Sequence, residues 1–204
     1  RAFAGWGGAG TQAEGYLLGL LIGDGTLKAD KAVISVWAPE LKAVGQGTVA
    51  FSATGADGIM RAAMAAAATL PHRADFKGFQ RPVAGRGEAR LSSAALWNLA
   101  HELGMAPGHK TITVAMERQS SAFAQGLLSG LFDADGSVQG AQDKGLSVRL
   151  SQSEEALLQT VQRLLLRMGI ASTLYRNRSP AAERNLPNGR GGMQTCATRA
   201  QHEL

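Results

Sequence analysis

One stretch of this chain occurs twice without a gap, as GYLLGLLIGDGTL at residues 15–27 and GLLSGLFDADGSV at 126–138. Small residues coincide at Gly15/Gly126, Gly19/Gly130 and Gly23/Ala134, leucines at Leu17/Leu128 and Leu20/Leu131, and the segments close on Asp24-Gly25 and Asp135-Gly136. A strand-like segment follows each, KAVISVW from Lys31 and KGLSVRL from Lys144, and each half later carries a basic Gly-Arg-Gly, at 85–87 and 189–191. Self-similarity on this scale marks two copies of one structural unit, and it constrains the fold more than composition does. Small residues four apart lie on one face of a helix, where a missing side chain lets two backbones come close. Two such helices packed along their small stripes bring their C-terminal ends together, and with them Asp24 and Asp135.

An acid at a helix C-terminus faces the unfavourable end of the helix dipole. Two acids held close there repel unless one protonates or a cation bridges them. Hard divalent ions such as Mg²⁺ take oxygen ligands, typically one or two carboxylates completed by water and substrate phosphate. Such a site on a phosphodiester supports metal-assisted hydrolysis, so the bound charge explains the placement of the acids. Asp-Gly also ends helices and opens turns with no further role. Its recurrence after the same small-residue stripe favours shared chemistry. An EF-hand reading of DADG fails, because aligning Gly136 with the loop glycine puts Leu131 and Gln142 where acids are required.

Charge points the same way. The chain carries 21 Lys+Arg against 16 Asp+Glu, net +5, which favours a polyanionic partner. The excess is local, with six basic residues against two acids over 61–90 and five against one over 176–199, at equivalent places in the two copies. Lys77, Arg81, Arg86 and Arg90 in one copy, and Arg176, Arg178, Arg184 and Arg190 in the other, are the nucleic-acid contact candidates, together with Arg149 on the strand after the second repeat. A lone cysteine, Cys196, excludes an internal disulfide framework and a cysteine-rich zinc site. The apolar run Gly15–Gly23 is too short to cross a bilayer and no leader opens the chain, so the expectation is a soluble cytoplasmic protein without membrane attachment.

The coarse pattern of each half is helix, two strands, helix, then a basic hairpin region. Strand signals are VISVW (33–37), LSVRL (146–150) and STLYR (172–176). Helix signals run from Glu154, with Ser153 as cap and Gly169 as stop, from Ser93 to a stop at Gly104, and through GIMRAAMAAAATL at 58–70. Trp6, Trp37 and Trp97 suit core or hairpin packing better than base stacking. The histidines at 72, 101, 109 and 202 are isolated, and none is assigned a catalytic role.

LLGLLIGDG (17–25) and LSGLFDADG (128–136) closely resemble the paired signatures of the LAGLIDADG homing endonucleases. The resemblance implies an α+β pseudo-dimer of αββαββα units, about 12–118 and 119–204 here, whose antiparallel sheets form a saddle over double-stranded DNA with a long target site. It implies a monomer that cuts both strands with Mg²⁺, or another divalent metal such as Mn²⁺ or Ca²⁺. Carried over, Asp24 and Asp135 are metal ligands and catalytic residues, and the carbonyls of Gly23 and Ala134 assist. Lys110, in HKTIT, occupies the place of a family lysine that contacts the catalytic water pool, with Thr113 in place of the usual proline. Ile22 stands where Asp133 supplies an acid in the second motif, a variable position that is not a ligand. The matching lysine of the second copy falls near position 214, beyond the last residue at 204, so the second unit is expected to lack its last helix and that lysine. The motif context is most similar to the intein-borne branch, with a ribonucleotide reductase as the host considered. Arg1 and the closing QHEL supply neither splicing nucleophile nor asparagine, so splicing by this chain is not expected. The alternative function is a non-cleaving or nicking DNA- or RNA-binding remnant of such an enzyme.

Overall fold

The computed structural model describes residues 5–37, 54–81, 87–141, 143, 145–187 and 192–204. These pack as two compact units, Arg1–Asp135 and Gly136–Leu204. The first contains α1 (Gln12–Ile22), β1 (Gly25–Leu27), β2 (Ala32–Trp37), α2 (Thr54–Ala67), β3 (Glu88–Ser93), α3 (Ala94–Glu102), α4 (Val114–Glu117) and α5 (Ser121–Asp135). Helix α1 starts on a capping box: the Thr11 amide donates to Glu14 Oε2 at 2.7 Å and the Glu14 amide to Thr11 Oγ1 at 3.2 Å. From Gly15 through Ile22 every residue of α1 is buried, which explains why the repeat is apolar on all faces instead of striped.

The glycines explain the burial. A Cβ on Gly15 would run into the Phe123 carbonyl oxygen, and one on Gly19 into that of Leu127. Reciprocally, a Cβ on Gly126 would strike the carbonyl of Gln12 and one on Gly130 that of Tyr16. Gln12 and Phe123, like Tyr16 and Leu127, are equivalent in the two copies, so the contact has the local two-fold character that the repeat implies. Around it lie Leu17, Leu18, Leu20, Leu21, Phe123, Leu127 and Leu131, each at most 2% exposed. Burial of such a side chain contributes roughly 1.5–3 kcal/mol relative to exposure.

The first sheet is antiparallel in the order β1-β2-β3, with Ile34 opposite Leu91 and both fully buried. Ala32, Ile34 and Val36 face the core, while Val33, Ser35 and Trp37 alternate to the other face. On the free edge of β3, Gln80 and Arg90 exchange amide-to-carbonyl hydrogen bonds at 2.8 Å each, so a fourth chain segment pairs there.

The second unit contains β4 (Gly136–Ala141), β5 (Gly145–Gln152), α6 (Glu155–Arg167), β6 (Tyr175–Ser179), β7 (Ala182–Pro187), β8 (Met193–Thr198) and β9 (Gln201–Glu203). Its sheet runs β4-β5-β9-β6, and β7 and β8 form a separate hairpin. In both sheets the first two strands pair and the last strand of the unit lies beside the second, so the two copies share this part of their strand order. Helix α6 buries Leu157, Leu158, Val161 and Leu164, the stripe expected of a half-exposed helix. Helix α3 follows the sheet in the first unit; among the described residues no helix follows β9.

The mixed helix and antiparallel-sheet architecture matches the reading of the sequence, with local corrections. The helix cap expected at Ser153 is taken by Glu154, in extended backbone and without a side-chain cap bond. The strand expected over 172–176 starts at Tyr175. Trp97 is anchored by a 3.0 Å bond from Nε1 to the Lys28 carbonyl and stacks on His101, whereas Trp37 is 52% exposed and is no core residue. Arg86, Arg190 and the Gly-Arg-Gly triplets, apart from Gly87, lie outside the described residues.

The backbone contact makes a signed prediction about two glycine-to-alanine changes. Gly19→Ala should destabilise by about 1–3 kcal/mol or more, because the new methyl displaces a backbone carbonyl. Gly58→Ala in α2, where a Cβ meets nothing within 4 Å, should stabilise by about 0.5–1 kcal/mol through helix propensity. Urea midpoints of the two variants checks both signs.

Candidate active site at the joined ends of two helices

The glycine contact ends where the acids begin. Gly23 caps α1, and a Cβ on it would press on the Ala134 methyl and lie 3.1 Å from Asp135 Oδ2. Gly23 and Ala134 are equivalent in the repeat, so the helix ends meet at their third pair of small residues. Asp24 follows the cap and Asp135 is the last residue of α5, so both carboxylates are carried to one place within the first unit.

Lys110 reaches the same place from the loop between α3 and α4. That loop begins where Gly104, at φ +85°, ends α3, and it is pinned by buried Met105 and Ile112. Thr113, at the family's proline position, accepts the Met116 amide at 3.2 Å as cap of α4 and donates its hydroxyl to the Leu103 carbonyl at 2.5 Å. It therefore ties the loop at both ends, which a proline could not do with a side chain. The ammonium of Lys110 donates to the carbonyls of Leu21 and Gly23, each at 3.2 Å, and to that of Gly25.

The charges respond to one another. Burial and, next, the neighbouring Asp135 push the Asp24 carboxyl above its ordinary range, while Lys110 pulls it down. Burial lowers the Lys110 ammonium, against the opposite pull of Asp135 and Asp24. Removing these groups from water disfavours their charged forms, and the two carboxylates compound the effect because their charges have the same sign.

Asp133 does not join this cluster. Two residues before Asp135 on the helix it faces elsewhere, and it accepts the Tyr16 hydroxyl at 2.7 Å. Burial and this bond raise the Tyr16 hydroxyl well above the ordinary phenol range. The pair has no counterpart, since the equivalent residues are Leu127 and Ile22. Sequence reading left Asp133 without a role; a polar residue within the otherwise apolar repeat, Tyr16, was the signal.

The basic candidates fall into two groups. In the first unit Arg90 grips Glu88 with Nε at 2.7 Å and Nη2 at 2.8 Å, and Ser35 Oγ donates to the same carboxylate at 3.0 Å. In the second unit Arg149 and Arg178 both approach Glu203, at 3.2 and 3.7 Å, and Arg176 lies 2.7 Å from Glu155. Lys77, Arg81 and Arg184 are exposed and make no ion pair with another described residue. The i, i+2 spacing of Glu88 and Arg90 on one strand face was the sequence signal for the first of these pairs.

The donor set at the helix ends consists of carboxylate and carbonyl oxygens, which suits a hard divalent cation. Among the described residues no group of three or more His, Cys, Asp or Glu side chains is placed to hold a metal. Among the same residues no helix is long and apolar enough to cross a membrane.

Residues 122–199 match the family model described as a LAGLIDADG-like domain, which bears out the resemblance read from the motifs. Over 116 residues, or 56% of this chain, the sequence is 33% identical to the ribonucleoside-diphosphate reductase NrdEB subunit alpha of Bacillus subtilis (strain 168) and, equally, to that of Bacillus phage SPbeta. The match spans 11% of those relatives' length. Among solved structures, mesophilic variants of the homing endonuclease I-DmoI align at 16% identity and TM-score 0.47, covering 94% of this chain and 81% of theirs. The N-terminal LAGLIDADG domain of DUF199/WhiA aligns at 15% identity and TM-score 0.44, covering 96% and 77%.

The raised Asp24 carboxyl carries a stability consequence. Its folded-state affinity for a proton exceeds the unfolded one, so its contribution is present below the ordinary carboxylate range and is lost as pH rises through the raised value. At neutral pH without divalent cation, Asp24→Asn should therefore stabilise the protein. The gain should be a few tenths of a kcal/mol, because the Asp24 carboxyl is only partly withdrawn from solvent, which screens its charge. Thermal unfolding in EDTA at pH 7 and at pH 4 measures it, with the difference shrinking at the lower pH.

Proposed function

We propose that this chain is a site-specific DNA endonuclease of the homing type, which hydrolyses phosphodiesters in both strands of double-stranded DNA with a divalent cation. The observation that carries this reading is the meeting of Asp24, Asp135 and Lys110 where α1 and α5 end. Asp24 and Asp135 would hold the cation, Mg²⁺ or an ion such as Mn²⁺ or Ca²⁺, with the Ala134 carbonyl beside them; the Gly23 carbonyl, expected from the resemblance to assist, accepts the Lys110 ammonium instead. Bound there, the ion would lower the pKa of water and stabilise a leaving oxygen.

The protein's own share is positional and electrostatic. The backbone contact between α1 and α5 brings the two carboxylates near one another before substrate arrives, which supports a preorganised site. Lys110 offsets part of their charge and opposes the rise of the Asp24 carboxyl. Lys77, Arg81 and Arg184 are suited to phosphate contacts. Arg90, Arg149, Arg176 and Arg178, each pinned by an acid, would present guanidinium groups already oriented for phosphates or base edges. Arg86 and Arg190 belong to the same two basic stretches. The two copies, about 12–118 and 119–204, would act as a pseudo-dimer within a monomer. The partial match to a ribonucleotide reductase subunit supports an insert of the intein type as its origin.

Two measurements test this reading. Incubating a supercoiled plasmid library with the protein and Mg²⁺ should give linear product, and either Asp24→Asn or Asp135→Asn should abolish it. Nicked product alone would mean that one strand's chemistry is disabled. No cleavage, with DNA binding still weakened by Lys77→Ala or Arg81→Ala, would establish the non-cleaving remnant instead. Without DNA, Mg²⁺ at a hundredfold excess over its Kd should stabilise the protein by about 2.7 kcal/mol, and both asparagine variants should lose that shift.

A further inference from the structure

We propose that Lys110 acts as a positioning residue, whose ammonium clamps the end of α1 and the turn bearing Asp24. The inference deepens the nuclease reading, on which it rests for the importance of Asp24.

The donor count is the first observation. A lysine ammonium has three N–H donors and no acceptor. Lys110 meets three acceptors, the carbonyls of Leu21, Gly23 and Gly25. All three are main-chain groups, and they belong successively to the last turn of α1, its cap and the first residue of β1. The ammonium therefore joins helix, turn and strand at a single nitrogen.

The geometry of the turn explains why a clamp is needed. The last four carbonyls of a helix lack partners within it. No basic residue lies in the last turn of α1 to meet them, and Gly23 ends the helix at φ −68°, ψ −93°, outside the left-handed cap conformation. The next residue, Asp24, adds negative charge at the negative end of the dipole. Lys110 supplies the missing cation and partners for two of those carbonyls.

Asp24 is held from both sides by this arrangement. The residues flanking it, Gly23 and Gly25, are the most permissive backbone units available, yet the carbonyls of both are fixed by the same ammonium. With the peptides on either side immobilised, the direction of the Asp24 side chain is set before any ligand arrives. The Asp24 carbonyl accepts the Ser35 amide at 3.4 Å, which ties the turn to β2 as well.

The test uses the intact chain without DNA or divalent cation. In Lys110→Met, amide hydrogen exchange over Gly23–Leu27 should accelerate at least tenfold, while exchange in α6 stays unchanged. Unchanged exchange at Gly23–Leu27 would overturn the proposal. A second measurement needs no variant and covers the case in which Lys110→Met fails to fold. In the parent protein the ¹⁵Nζ ammonium resonance of Lys110 should persist at a temperature and pH where those of exposed Lys28 and Lys77 are lost to exchange with water. Exchange of the Lys110 ammonium as fast as theirs would show a donor open to solvent and overturn the proposal. Cleavage is scored separately. A protein that cuts but has a solvent-exchanging Lys110 sinks this inference alone, and one with a protected Lys110 that neither cuts nor binds a cation sinks the nuclease reading alone.

Discussion

Everything at the candidate site depends on one contact, the approach of the α1 and α5 backbones across Gly15, Gly19, Gly126 and Gly130. At each of these positions a methyl would occupy the space of a carbonyl oxygen on the facing helix. The pairing is reciprocal, with Gln12 and Tyr16 presenting carbonyls to one helix and Phe123 and Leu127 to the other. Close packing of this kind leaves no slack, because protein interiors have few voids to absorb a displaced backbone. The third pair of small residues, Gly23 and Ala134, carries the contact to the helix ends and sets the carboxylates beside one another.

That closeness creates an electrostatic problem which the fold answers with residues distant in sequence. Two acids occupy helix ends whose dipoles already disfavour negative charge. Lys110 comes from a loop pinned by Met105, Ile112 and the two hydrogen bonds of Thr113, and its position near both acids opposes the rise of the Asp24 carboxyl. Burial acts on both partners, raising the carboxyl and lowering the ammonium; Lys110 opposes the first shift, and Asp135 and then Asp24 oppose the second. A divalent cation at the same oxygens would relieve the remaining repulsion.

The two copies share part of their strand order but not their details, and the differences in side chains fall on polar residues. Tyr16 and Asp133 form a hydrogen bond across the helix pair whose equivalent positions are apolar, so the interface is symmetric in backbone and asymmetric in side chains. The basic residues also differ in their anchoring. Arg90 has its own acid in the first unit, whereas Arg149 and Arg178 share Glu203 in the second. Guanidinium groups held this way lose less freedom on meeting an anion than free ones do, and each still has N–H donors to spare.

The repeat by itself determined that two like helices exist, that their small faces meet and that Asp24 and Asp135 end up together. Spacing of glycines leaves few other ways to bury a helix that is apolar on every side. The strands read at 33–37 and 146–150, which extend over Ala32–Trp37 and Gly145–Gln152, and the helices stopped by Gly104 and Gly169 were equally legible, because alternation and stop residues are local signals. Tertiary structure alone decided which carbonyls Lys110 meets, since the loop that delivers it lies far along the chain from Leu21, Gly23 and Gly25. It also decided that Asp133 turns to Tyr16 and that four of the basic candidates are held by acids. Those outcomes depend on which side chains meet across elements, and no local pattern encodes the direction from which a distant partner arrives.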